Sequence, residues 1–237
     1  MIQVVADKEE LSRTAAELFT HRAIRAAAEQ GRFSVALSGG TTPRRTYELL
    51  SRSPWRDRVP WDRVHVFWGD ERCVPRDDPR SNRHMARDAV LDHVPLPEGQ
   101  IHPMDCADDP AEAASRYEAA LRKFFAPGAA HFDLVFLGLG EDGHTASLFP
   151  GDAALRERER WVARVKKNDE DFARLTLTLP VINAAATVIF LVSGKEKATI
   201  LSEVLKGPTG RFPVQLIAPG DGGEVRWLVD YGAAGKT

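Results

Sequence analysis

At 237 residues, with 43% hydrophobic and 28% charged side chains, the chain has the make-up of an ordinary globular protein with enough bulk for a substantial core. Its 32 Lys and Arg against 34 Asp and Glu leave a formal charge of −2, and the basic residues alternate with acids, so neither nucleic acid nor an anionic membrane is expected as a partner. No stretch approaches the roughly 20 uninterrupted apolar residues of a membrane helix. The opening residues lack the apolar core of a signal peptide.

The first predicted element is a helix, with Leu11, Ala15, Leu18, Phe19, Ala23 and Ala26 at three- and four-residue spacings and Gly31 as its stop. An apolar run from Phe33 to Leu37 follows and ends in Ser38-Gly39-Gly40-Thr41-Thr42-Pro43; Pro43 suits the first turn of a helix continued by Tyr47, Leu49 and Leu50. The same grammar recurs. Val64 to Trp68 reads as a strand ending in Gly69-Asp70-Glu71-Arg72. Phe132 to Leu137 reads as a strand ending in Gly138-Leu139-Gly140-Glu141-Asp142-Gly143-His144, and Thr187 to Val192 as one ending in Ser193-Gly194 before a helix from about Lys195 to Leu205. Between Val162 and Leu179 the pattern changes, and Leu175, Leu177 and Leu179 alternating with Thr176 and Thr178 predict a strand with one polar side.

Continuous apolar strands alternating with helices predict an α/β fold: a doubly wound, mainly parallel sheet with helices on both faces. No repeat or low-complexity linker divides the chain, so residues 1–237 read as a single domain. Cys73 and Cys106 show no metal-ligand or CxxC spacing and are expected as free thiols, with the cytoplasm as the compartment.

Ligands of open α/β sheets sit beyond the carboxyl ends of the strands, and the unusual residues of this chain lie there. Residues 38–43 read either as a tight turn with a capping threonine or as an anion site, in which Gly39 and Gly40 let the backbone approach a ligand and the free amides at the following helix start attract phosphate, helped by hydroxyls of Ser38, Thr41 and Thr42. Residues 138–143 match GxGxxG letter for letter, yet a dinucleotide site is rejected. His144 and Thr145 follow the third glycine, and the nearest acids at the required distance, Glu157 and Glu159, fall in a charged run read as helical.

What that loop carries instead is His144 on a glycine-rich turn with Asp142 two residues earlier. An imidazole there can take a proton from water and return it to a leaving oxygen. Of the seven histidines, His65 reads as a satisfied core residue, His21, His93 and His131 as surface or loop residues, and His84 and His102 stay undecided. Asp70, Glu71 and Arg72 read either as a self-neutralising surface turn or as a cleft triplet in which Asp70 holds a sugar hydroxyl and Arg72 an oxyanion or phosphate. Lys197 in a helix's first turn opposes the helix dipole unless an anion is present. No HExxH, cysteine–histidine cluster or calcium loop supports a metal, and GxSxG is missing.

Together, LSGGTTP at 37–43, FWGDERCVP at 67–75, SN at 81–82, LGLGEDGHTASLFPG at 137–151, RLTLTLPVIN at 174–183, SGKEK at 193–197 and WLVDYGAAG at 227–235 resemble the 6-phosphogluconolactonase family, nearly end to end. The resemblance implies an enzyme without cofactor or metal that hydrolyses 6-phosphogluconolactone in the oxidative pentose phosphate pathway. Its partner would be that phosphorylated lactone alone, and its state a monomer or small homo-oligomer. The resemblance assigns His144 as catalytic base with Asp142 beside it, and matches Arg72 to a basic residue of the substrate site, which the oxyanion reading makes a further catalytic residue. It assigns Gly39, Gly40, Thr41, Arg174 and Lys197 to substrate binding, to which the cleft reading of the triplet adds Asp70. Two alternatives stand beside it: a glucosamine-6-phosphate deaminase or isomerase, and a non-catalytic sugar-phosphate-binding domain. The deaminase relatives carry an acid a few residues past the histidine, whereas Thr145 to Pro150 contain none.

Overall fold

The computed structural model describes residues 1–106, 109–167, 169–220 and 222–236. Nine strands are present among them: β1 (Ile2–Val5), β2 (Phe33–Leu37), β3 (Val64–Trp68), β4 (Asp70–Arg72), β5 (Leu134–Leu137), β6 (Val162–Lys166), β7 (Ala173–Leu177), β8 (Thr187–Val192) and β9 (Glu224–Asp230). The helices are α1 (Lys8–Gln30), α2 (Thr41–Leu50), α3 (Trp55–Arg58), α4 (Asn82–Ala89), α5 (Pro110–Phe125), α6 (Leu179–Ile182) and α7 (Ala198–Lys206), with short 3-10 turns between.

Six strands form one parallel sheet in the order β1-β9-β8-β5-β2-β3. The central β2, β5 and β8 are buried at every residue, which their unbroken apolar runs require, whereas the edge strand β1 is exposed at its start. Phe33 and Phe136 turn to one face, where both rings meet Phe19 of α1 at 5.3 and 6.4 Å. Phe67 turns to the other face and meets Phe124 and Phe125 of α5 at 5.0 and 6.2 Å. That alternation buries both sides of the sheet, giving the doubly wound arrangement expected from the sequence.

The chain runs from β2 to its neighbour β3 on one side, then returns to place β5 on the other. The loops after β2 and β5 therefore diverge from a topological switch point, where such sheets open a crevice. Beyond β3 the chain leaves the parallel sheet through Gly69, whose amide bonds Leu37 O and whose carbonyl accepts from Leu177 N, both at 2.8 Å. It then enters a three-stranded antiparallel sheet, β4-β7-β6. This second sheet delivers residues 70–72 and 174 to the same crevice.

Several expectations need correction. The alternation at 175–179 does not mark a polar side: Thr176 and Thr178 are fully buried, their hydroxyls donating to Leu177 O and Arg160 O, and Leu179 begins α6. Glu157 and Glu159 lie beyond a single 3-10 turn, Ala153–Arg156, not in a helical run. The first turn read into 195–205 is likewise a 3-10 turn, Lys195–Lys197, ahead of α7. The cysteines are not free, since Cys73 and Cys106 form a disulfide with Cα atoms 5.0 Å apart. Asp105 accepts from both Arg76 and Arg83, at 2.9 and 2.5 Å, and so draws the segment before Cys106 onto the turn that follows β4. Linear spacing carries no trace of that.

Candidate active site

The crevice holds a cavity of about 280 Å³ lined from four strand ends: Ser38 to Pro43 after β2, Asp70 and Arg72 on β4, Gly138 to Gly140 and His144 to Ala146 after β5, and Ser193 with Lys197 after β8. Asn82 and Arg174 complete its wall. Gly39, Gly40, Thr41, Asp70, Arg72, His144, Arg174 and Lys197 thus line one cavity; Asp142 stands behind His144 rather than in the lining.

The strand ends are pinned from within by two tyrosines that sequence reasoning passed over. The hydroxyl of buried Tyr47 on α2 accepts from Ser38 N at 3.1 Å and donates to Ser38 O at 3.0 Å, just where β2 stops. The hydroxyl of Tyr117 on α5 does the same for Trp68 at the end of β3, at 3.0 and 3.3 Å. Burial pushes both phenols well up, so each stays protonated and able to donate. Their only sequence signal is a polar tip on an otherwise apolar helix face.

After Ser38 the backbone rises into α2 with Gly40 as N-cap, which supplies no side-chain oxygen to the first-turn amides. Ser38 Oγ is buried without a hydrogen-bond partner among the described residues, and so is Arg72 Nε across the cavity. Lys197, the N-cap of α7, forms no ion pair among the described residues. Hydroxyl, guanidinium, ammonium and helix amides together leave unspent donors facing one hollow, which suits an anion.

The acidic triplet does not neutralise itself. Buried Asp70 accepts from Ser147 Oγ at 2.6 Å and Asn82 Nδ2 at 3.2 Å, with Arg174 Nη1 3.9 Å away. Buried Glu71 turns the other way and accepts from Arg72 N, Asn82 N, Arg83 N and Ser81 Oγ at 2.7–3.0 Å, fastening the start of α4. Burial raises its carboxyl despite those backbone donors. Asp70 and Arg72 both line the cavity, and Arg72 Nη1 donates to Arg80 O at 2.6 Å. Asn82 lies so close to Gly39 that any Cβ there would overlap its side-chain amide, which explains a glycine at that position. Arg174 lines the cavity, but its guanidinium is fixed bidentately by Glu170 at 2.6 and 2.7 Å and leans on Asp70. Its charge is largely spent.

On the β5 loop, His144 Nδ1 meets Asp142 Oδ1 at 2.5 Å and the His144 amide donates to the same oxygen at 3.1 Å. Burial alone would raise the Asp142 carboxyl, and the imidazole and amide bonds overcome it and hold it below the usual range. The turn is set by Gly143 at φ 78°, by Gly140 N donating to His144 O at 2.9 Å, and by Ala146 in the left-handed region at φ 48°. A non-glycine residue held there is strain that the surrounding contacts must sustain. An imidazole with Nδ1 committed to a carboxylate leaves Nε2 as the working nitrogen, the arrangement of a general base.

The family described as glucosamine-6-phosphate isomerases/6-phosphogluconolactonase matches residues 6–227. The chain is 44% identical to a 6-phosphogluconolactonase of Synechocystis sp., covering 98% of this chain and 96% of that protein. It is 40% identical to one of Nostoc sp., covering 99% and 97%. The solved 6-phosphogluconolactonase of Trypanosoma brucei superposes with a TM-score of 0.84 at 30% identity, over 99% of this chain and 97% of the other. The chain belongs to the glucosamine-6-phosphate isomerase/6-phosphogluconolactonase family.

Proposed function

We propose that the chain hydrolyses 6-phospho-D-glucono-1,5-lactone to 6-phospho-D-gluconate, the lactone-opening step of the oxidative pentose phosphate pathway. Residues 1–237 act as one lactonase domain in the cytoplasm, with that phosphorylated lactone as their partner. The observation that carries the proposal is the pairing of a carboxylate-held imidazole with a set of unspent cationic and hydroxyl donors across one small cavity.

The phosphate docks on the amides of Gly39 to Thr41, the Ser38 hydroxyl and Lys197, which fixes the distance from the anion to the reacting carbonyl. His144 Nε2 takes a proton from water as its oxygen bonds to the lactone carbon, and Asp142 holds the imidazolium that results. Arg72 supports the oxyanion of the tetrahedral intermediate. Collapse breaks the bond from that carbon to the ring oxygen, which receives the proton from Nε2. Asp70, held by Ser147, Asn82 and Arg174, is placed to accept from a sugar hydroxyl.

The test is to generate 6-phosphogluconolactone in situ at controlled pH and compare its loss with spontaneous opening. A saturable excess rate, inhibited competitively by inorganic phosphate, is expected. No excess rate, or ammonia release from glucosamine 6-phosphate in its place, would overturn the proposal.

A further inference from the structure

The plane and tilt of the catalytic imidazole need more than one carboxylate to fix them, since a single hydrogen bond leaves the ring free to swing about it. Two further contacts close on that ring. On one side lies Gly140: a Cβ built on it would overlap His144 Nδ1, Cε1 and Cγ, so the imidazole rests against a bare α-carbon. Gly140 does not have a left-handed φ, unlike Gly143, so no backbone conformation demands glycine there. The ring itself does. The other contact is Phe149, 7% exposed, whose ring centroid lies 4.6 Å from that of His144 at an interplanar angle of 45°. Phe149 is in turn held by cations: Lys167 Nζ lies 5.2 Å and Arg174 Cζ 5.6 Å from its centroid.

We infer that Gly140 and Phe149 are positioning residues, a slot that holds the His144 imidazole in the one orientation in which Asp142 takes Nδ1 and Nε2 stays free for water. The GxGxxG string then has a purpose unrelated to nucleotides, because its middle glycine makes room for the base. Arg174, whose charge is spent on Glu170 and Asp70, also serves by bracing Phe149. The inference rests on His144 acting as the base. General-base help depends on sub-ångström placement, so widening or filling the slot acts on turnover and not on anchoring of the phosphate.

A double-mutant cycle on the full chain tests this, comparing wild type, Gly140→Ala, His144→Ala and the double variant. The readouts are enzyme-dependent lactone hydrolysis, binding of 6-phosphogluconate, and the ring N–H signal of His144 by proton–nitrogen NMR. Gly140→Ala is expected to lower kcat roughly 100-fold, keep product binding within about threefold, and lose the protected Nδ1–H signal. Added to His144→Ala, it should change the residual rate less than about twofold, because the methyl then occupies the space the ring has left. Phe149→Leu keeps apolar bulk and should lower kcat roughly 2- to 10-fold with KM unchanged. It carries the test alone where Gly140→Ala does not fold. An undiminished kcat in Gly140→Ala or Phe149→Leu, or equal losses from Gly140→Ala in both backgrounds, overturns the slot. A His144→Ala enzyme as fast as wild type would instead overturn the base assignment beneath it.

Discussion

The molecule uses the same side chain in two opposite ways, at the turn carrying His144 and in the stack of His65 and His102. His144 stands on a glycine turn at a cavity, its side chain 30% exposed and its Nδ1 on a carboxylate. His102 lies 4.3 Å from the ring of Phe67 in a nearly parallel stack, close to Phe124, and among the described residues its ring nitrogens meet only His65 Nδ1, at 3.2 Å. Burial pushes the His102 imidazole down to about 4, aided by His65. His65 is lowered by burial and then by Arg32. The contrast separates what fits a histidine for the proposed base from what does not: a partner for the imidazolium and an open nitrogen facing a cavity. A histidine denied both is an aromatic filler that stays neutral.

His144→Ala gives the largest expected effect. Turnover of the lactone should fall by about 10²–10⁴ with the melting temperature nearly unchanged, measured as the excess over spontaneous opening. A variant that lost stability instead would make the two histidines alike and break the contrast. Lys197→Ala comes next. It removes one charge-assisted hydrogen bond to the phosphate and should raise KM roughly 10- to 100-fold while kcat holds within a few-fold. If inorganic phosphate competes equally well against this variant and wild type, Lys197 is not part of the anion pocket.

Much of this contrast was legible in the residues and some was not. Continuous apolar runs marked the central strands because those strands are buried on both faces, and the chemistry-bearing loops followed because ligand sites sit at strand ends. Gly143 followed by His144, with Asp142 two residues before, is a local pattern, and the local pairing it implies is present. Pairings across the chain left no such mark. Tyr47 on Ser38, Tyr117 on Trp68, Glu71 on the start of α4 and the bridge from Cys73 to Cys106 depend on how layers stack. His102 was undecidable for the same reason, since its stack is assembled from a loop, β3 and α5. Thr176 misled because a threonine reads as solvent-facing until a partner for its hydroxyl is known.

The smallest expected effect concerns that stack, and it sharpens the contrast through pH. His102 binds a proton in the unfolded chain near its ordinary value of 6.5 but in the folded chain only near about 4. Between those values the unfolded state holds more protons, so stability rises with pH across the window and is lost as pH falls through it. Above about 6.5 the contribution is complete, and below about 4 it no longer changes. His102→Phe keeps a ring against Phe67 and abolishes this titration. Carboxylates such as Glu71 titrate in both proteins, so the difference between the two curves isolates the imidazole. The urea midpoint of the wild type should therefore fall relative to the variant between pH 6.5 and 4, by the equivalent of about 1–2 kcal/mol after allowance for solvent screening. Lactone turnover at neutral pH should be the same in both. Parallel curves would mean that the stack admits a proton as readily as the unfolded chain, and a slower variant would mean that the stack supports the site as well as the core.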